Sequence, residues 1–168
     1  GILVILFGAA GESTASLIGS AVRLLAEDPE LQARLRADPS LVPAFVEESV
    51  RLESPFKFHY RVVRRETELC GVPLLPGDTL LLGWASANRD PSVWSDPDSL
   101  RLDRHHGDRH LGFGYGIHFC IGAPLARLEA RVVIESLLQG TCSFVTDPAR
   151  KPIHVPSIFV RRLQHLHL

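Results

Sequence analysis

Residues 113–122 read FGYGIHFCIG, with three glycines, one histidine and one cysteine in ten positions and no acidic group. A cysteine where a glycine-rich loop runs into a helix meets the free N–H groups of the first turn, here from Ile121 and Gly122 onward. Those donors and the positive end of the helix dipole favour an anionic sulfur at Cys120. A single screened thiolate suits an axial ligand to haem iron. Zinc would want four ligands, and no second cysteine is near. Gly114, Gly116 and Gly122 would let the backbone turn tightly and lie against a flat, bulky partner without Cβ contacts. The plain alternative is a buried structural cysteine, and Cys70 and Cys142 are read that way.

Other stretches carry chemistry-bearing types at suggestive spacing. In VEESVRLESP, Glu48 and Arg51 are three apart and share a helical face, as Glu47 and Arg51 do at four apart. Either pair would make an ordinary ion pair. In LFGAAGESTAS, Gly8, Ala9 and Ala10 form a small-residue patch beside Glu12, Ser13 and Thr14. A carboxylate next to a hydroxyl can relay protons, although a Ser-Thr pair on a packed helix has the same appearance. Arg61 and His110 are charge-assisted donors that would suit a carboxylate partner, or simply solvated residues. Arg64 and Arg65 are read as solvated. His105, His106, His165 and His167 make no ligand pattern and are read as exposed. Arg101, Arg109, Arg127 and Arg131 form either a basic face attractive to an acidic partner or a plain solvated one.

These residues need elements to hold them. Apolar positions at Leu3, Phe7, Ala10, Leu17, Ala21 and Leu24 predict an amphipathic helix ending near Glu27, with Glu12, Ser16, Ser20, Arg23 and Glu27 largely elsewhere. Asp28-Pro29 opens a second helix to about Arg36, and a third runs from about Leu41 to Glu53 before Ser54-Pro55. From Phe58 to Trp84, short β-prone runs alternate with Gly and Pro turns, as in a small sheet. Residues 86–112 predict an ordered, irregular segment. APLARLEARVVIESLLQ predicts an amphipathic helix with Leu125, Leu128, Val132 and Leu138 on one side, and CSFVT and SIFVRRLQHLHL predict strands.

Composition bounds the rest. The chain has 168 residues, a net charge of −1 with eight histidines, twelve prolines and thirteen glycines. That suits one loop-rich domain, or a large piece of one, and gives no general attraction to nucleic acid or anionic membrane. Three widely spaced cysteines are neither a disulfide framework nor a zinc pattern, which indicates a reducing, cytoplasmic setting. The uncharged stretch 1–11 is too short to span a bilayer and lacks a signal-peptide pattern. The chain contains no methionine, so a fragment of something longer is expected.

Phe113, Gly114, Gly116, His118, Cys120 and Gly122 together resemble the haem-binding loop F-G-x-G-x-H-x-C-x-G of the bacterial cytochromes P-450, and APLARLE resembles that family's next helix. The resemblance implies a mainly α fold with small β-sheets, of which residues 1–168 are the C-terminal haem-binding portion, the N-terminal half being absent. It implies haem b (iron protoporphyrin IX) with Cys120 as proximal thiolate ligand, Phe113 packed near the sulfur and His118 beside the haem. Glu48 and Arg51 match the family's E-x-x-R motif, whose buried network includes an arginine matched by Arg104. The distal-helix pattern A-G-x-(acid)-T aligns Ala9 and Ala10 with Ala-Gly, Glu12 with the acid and Ser13 with the threonine. A second register, Ala10-Gly11, would put Thr14 there. Arg61 and His110 match positions that bind the haem propionates. The implied activity is monooxygenation of a small organic substrate by dioxygen, with electrons from NAD(P)H through ferredoxin reductase and ferredoxin. The rival expectations are an inert truncated chain that holds haem weakly or not at all, and a peroxide-driven haem-thiolate enzyme.

Overall fold

The computed structural model describes residues 1–104 and 110–168, with Ile5 by its backbone alone. Among the described residues, five α-helices carry the architecture: α1 (Ile2–Glu27), α2 (Pro29–Ala37), α3 (Val42–Leu52), the single turn α4 (Trp84–Ala87) and α5 (Ala123–Gly140). Three antiparallel pairs flank them: β1 (His59–Val62) with β4 (Thr79–Leu82), β2 (Thr67–Leu69) with β3 (Val72–Leu74), and β5 (Ile153–His154) with β6 (Leu163–His165). This is the expected mainly α fold with small sheets, although the β region is two separate hairpin-like pairs rather than one sheet.

Local chemistry sets the helix boundaries. Asp28 closes α1 and opens α2: its carboxylate accepts from the Leu31 N–H at 2.9 Å, and Pro29 occupies the first position, where no N–H is needed. At the other end of the bundle, Arg36 of α2 donates to the Leu138 and Thr141 carbonyls, satisfying acceptors that the end of α5 leaves open.

The core lies where α1, α2, α3 and α5 meet. Leu17, Ala21 and Leu25 of α1 pack with Leu31 and Leu35 of α2, Phe45, Val46 and Val50 of α3, and Ala130, Ile134 and Leu138 of α5. Each large apolar side chain so buried contributes about 1.5–3 kcal/mol.

Several expectations fail for physical reasons. On α5 the core face is Ala130, Ile134 and Leu138, whereas Leu125, Leu128 and Val132 are about half exposed. The small Ala130 lets the neighbouring helices come close. On α1 only the second half is covered: Leu3 and Phe7 are 82% and 88% exposed, while Ser16 and Ser20, expected on the polar side, are buried. Ser16 tolerates burial by donating to the Glu12 carbonyl at 2.6 Å. All three cysteines are exposed, Cys70 and Cys142 included; Cys70 stands at φ +51° in the turn between β2 and β3. CSFVT forms no strand, because Gln32 of α2 takes over the Phe144 backbone, donating to its carbonyl at 2.7 Å. Taken over its full length, α1 is long and apolar enough to cross a membrane by length and composition. Its second half is nonetheless a core helix, packed against α2, α3 and α5.

Candidate functional site

Glu48 and Arg51 project from one face of α3 into the irregular segment. Arg51 is 1% exposed, and all five of its guanidinium N–H groups have acceptors. Nε and Nη2 donate to the two Glu48 oxygens at 2.7 and 2.8 Å. The remaining donors reach the carbonyls of Asn88, Pro97 and Ser99, and the Trp94 ring lies under the guanidinium, 5.1 Å from its centroid. Arg104 joins from the irregular segment, donating Nε–H to Glu48 at 3.1 Å and Nη1 and Nη2 to the carbonyls of Ser95, Asp96 and Ser99. The Arg101 N–H also donates to Glu48. Burial alone would raise the Glu48 carboxyl, but donors from Arg51, Arg101 and Arg104 outweigh it and hold the pKa below its ordinary value. One buried carboxylate and two arginines thus supply the hydrogen bonds that a segment without regular structure cannot supply itself.

The cysteine loop follows. Gly112 packs so closely on α3 that a Cβ there would sit 2.5 Å from Val50 Cγ1. Gly114 and Gly116 both adopt φ +74°, a left-handed conformation that glycine takes without strain. The Cys120 N–H donates to the Phe113 carbonyl at 2.9 Å, and the Ala123 N–H to the Cys120 carbonyl at 3.2 Å. Helix α5 begins at Ala123, where the APLARLE stretch begins, and its first amide serves the Cys120 carbonyl rather than the sulfur. Gly122 has ordinary angles, and among the described residues its missing Cβ would meet only the Cys120 Sγ, at 3.8 Å, so none of them demands glycine there. Cys120 and His118 are exposed, as are Ile117 and Ile121 at 97% and 89%. The loop presents one soft sulfur among apolar side chains. No group of three or more His, Cys, Asp or Glu side chains that could hold a metal ion occurs among the described residues. That donor set fits an axial ligand to a cofactor-held iron and does not fit a free ion.

The distal-helix residues lie in the exposed part of α1. Ser13 Oγ donates to the Ala9 carbonyl at 2.6 Å, four residues back, while Glu12 pairs with Arg162 of the C-terminal segment at 3.2 Å. Ala10 is exposed, and Thr14 is half-buried beside Ser13. Arg61 projects from β1 into solvent, with Nη1 donating to the Tyr60 carbonyl.

His110 departs from expectation. Its side chain is 2% exposed, with Nε2 3.0 Å from a Glu47 oxygen and Nδ1 accepting the Gly112 N–H at 3.2 Å. Both ring nitrogens are engaged inside the protein, so a propionate has no nitrogen to bind. Glu47, for its part, pairs not with Arg51 but with Arg127 of α5, through Nε at 2.6 Å and Nη2 at 2.8 Å. Burial would raise the Glu47 carboxyl, yet hydrogen bonds from Arg127 and His110 prevail and lower it to about 2. Sequence reasoning gave Glu47 the wrong partner and missed Gly112. Adjacent glutamates on a helix point roughly 100° apart, so Glu47 and Glu48 had to serve different neighbours. The expected basic face is largely neutralised: Arg101 pairs with Asp96 and Asp103, Arg127 with Glu47, and Arg131 with Glu135. Arg109, His105 and His106 lie outside the described residues. His165 is exposed and stacks on the half-buried His167.

The family model described as Cytochrome P450 matches residues 2–162, and the chain belongs to that family. Members of this family bind haem b. Cytochrome P450 144 of Mycobacterium tuberculosis is 51% identical over 166 residues, covering 99% of this chain and 38% of that protein. Among solved structures, substrate-free CYP150A6 of Mycobacterium marinum superposes with a TM-score of 0.93 at 37% identity, covering 96% of this chain and 42% of that one. CYP109E1 of Bacillus megaterium, solved in complex with corticosterone, gives 0.95 at 34% identity, covering 99% and 45%. The chain thus spans less than half the length of the relatives it matches.

Proposed function

We propose that this chain is the C-terminal haem-binding portion of a bacterial haem-thiolate monooxygenase, with Cys120 as the iron ligand. The observation that carries the reading is the cysteine loop: an exposed thiol on a backbone turned by two left-handed glycines and pinned on both sides to one partly buried carboxylate, Glu47. When bound, haem supplies the activation of dioxygen. The chain's own residues hold and enclose it. Cys120 would supply the thiolate ligand, Gly122 would leave the loop edge free of a Cβ, and Arg61, exposed on β1, would be a donor available to a propionate. His118 borders the group from the loop.

On the other face, Ala9 and Ala10 keep α1 low, Ser13 holds the Ala9 carbonyl, and Glu12 and Ser13 together are the groups that move a proton toward the reacting centre. Serine replaces the family's usual threonine; it keeps the hydroxyl and loses the methyl that limits its rotamers. Thr14 is the neighbouring hydroxyl of the second register. The substrate is a small organic molecule, met on this chain's side by the apolar Phe56, Phe58 and Ile158–Val160. Electrons come from NAD(P)H through ferredoxin reductase and ferredoxin, in the cytoplasm.

Haem titration followed by the carbon monoxide difference spectrum of the reduced chain tests the assignment. A thiolate-type Soret band supports it, and haem bound without that band defeats it. A second reading is favoured by the bare first half of α1: the chain alone is inert and takes up no haem. Turnover with peroxide in the absence of reductase would instead mark a peroxide-driven enzyme.

A further inference from the structure

The Glu47 cluster is separate from the E-x-x-R network and uses other residues. Three elements meet in it. Glu47 comes from α3, Arg127 from the second turn of α5, and His110 from the stretch that enters the cysteine loop. The Glu47 carboxylate faces three donors: Nε and Nη2 of Arg127 at 2.6 and 2.8 Å, and Nε2 of His110 at 3.0 Å. Because Gly112 N–H donates to His110 Nδ1, the ring proton sits on Nε2, where it points at Glu47. The Arg127 guanidinium also lies over the Phe113 ring, 4.5 Å from its centroid. Phe113 in turn accepts the Cys120 N–H through its carbonyl. The residues before the loop and the helix after it are therefore fastened to one carboxylate, with Phe113 held between them.

We infer that Glu47, His110 and Arg127 form a clasp that positions the cysteine loop. Through Phe113 the clasp fixes the peptide bearing the sulfur. All three are positioning residues: none touches the thiol. The loop has few fixed points of its own, because Gly114 and Gly116 give it two freely turning joints. Holding entry and exit together removes that freedom before any cofactor arrives. The bidentate arginine–carboxylate geometry suits this role, since it fixes direction as well as distance. Lysine, a point charge on a flexible stem, would not fix it.

The part of the inference that concerns the loop does not depend on the haem reading; the part that concerns iron does. Amide hydrogen exchange of the haem-free chain tests the first. Glu47→Gln should speed exchange at residues 111–122 by about tenfold, a change of about 1.4 kcal/mol in local opening, while the core of α1, α2 and α3 keeps its protection. His110→Phe should act in the same place, and Arg127→Lys should not restore protection. Acceleration spread evenly over the core, or no change at the loop, would overturn the clasp. In the haem-loaded chain, the reduction potential supplies a readout that simple loosening would not. Glu47→Gln removes a negative charge and should raise the potential, and Arg127→Gln removes a positive charge and should lower it. Shifts of the same sign in both variants would contradict positioning with charge balance and indicate a loop that has merely come loose.

Discussion

At the scale of single residues, the site rests on a few atoms with no substitutes. Arg51 uses every guanidinium N–H, so Arg51→Ala leaves the buried Glu48 with a weaker partner set and the carbonyls of Asn88 and Pro97 without donors. Breaking a buried pair costs about 3–5 kcal/mol, and urea unfolding should show a loss of that order, with Arg51→Lys recovering only part of it. Gly112 makes a different demand. Alanine there meets Val50 at 2.5 Å, an overpacking that costs about 1–3 kcal/mol. In Gly112→Ala a smaller residue at 50 should recover part of the loss; if Val50→Ala in that background adds its own destabilisation in full, the clash is not the cause. The loop residues Gly114, Gly116 and Cys120 stood out in the sequence because their types and spacing are unusual together, whereas Glu48, Arg51 and Arg104 stood out only through the resemblance to the E-x-x-R motif. The pairing of Glu47 with His110 did not stand out, because a glutamate beside a glutamate and a histidine before a loop have no distinctive spacing. Glu47 meets His110 only where the stretch entering the loop packs on α3, and it meets Arg127 only where α5 approaches α3.

Among the elements, the contacts between helices and loop carry charge, and charge makes them sensitive to pH. The Glu47 carboxyl lies near 2 in the fold against an ordinary value of 4.5. A depressed carboxylate contributes stability that is present in full above its unfolded value and disappears as the pH falls through its folded value. The Glu47 contribution should therefore fade from about pH 4.5 down to about 2, and Glu48, also lowered, should add to the same decline. Stability measured by urea unfolding across this range should fall less steeply in Glu47→Gln than in the parent; parallel curves would argue against the pairing with Arg127 and His110. Hydrophobic periodicity located α1, α2, α3 and α5 but misjudged which way two of them face. Along α5, leucines and valines occur on more than one side, and the buried stripe is marked by the small Ala130, which periodic counting of large residues passes over. The missing strand at CSFVT was set by a tertiary partner, Gln32 reaching the Phe144 backbone.

For the whole molecule, the balance of covered and bare surface matters most. The second half of α1 is core, whereas Ile2, Leu3, Val4 and Phe7 stand in solvent, as do Leu125, Leu128 and Val132 of α5. Contiguous apolar surface of this kind promotes association. In sedimentation velocity the chain should form concentration-dependent species, and Leu3→Glu with Phe7→Lys should shift it toward monomer without changing its unfolding midpoint, since neither side chain packs in the core. A parent chain that stays monomeric at high concentration would contradict this.

The carbon monoxide difference spectrum of the haem-loaded chain, set beside that of Cys120→Ala, tests the central claim most directly. A thiolate-type Soret band in the parent and its loss in Cys120→Ala is the predicted result. The same band in both proteins would show that another group binds the iron and that the cysteine loop has been misassigned.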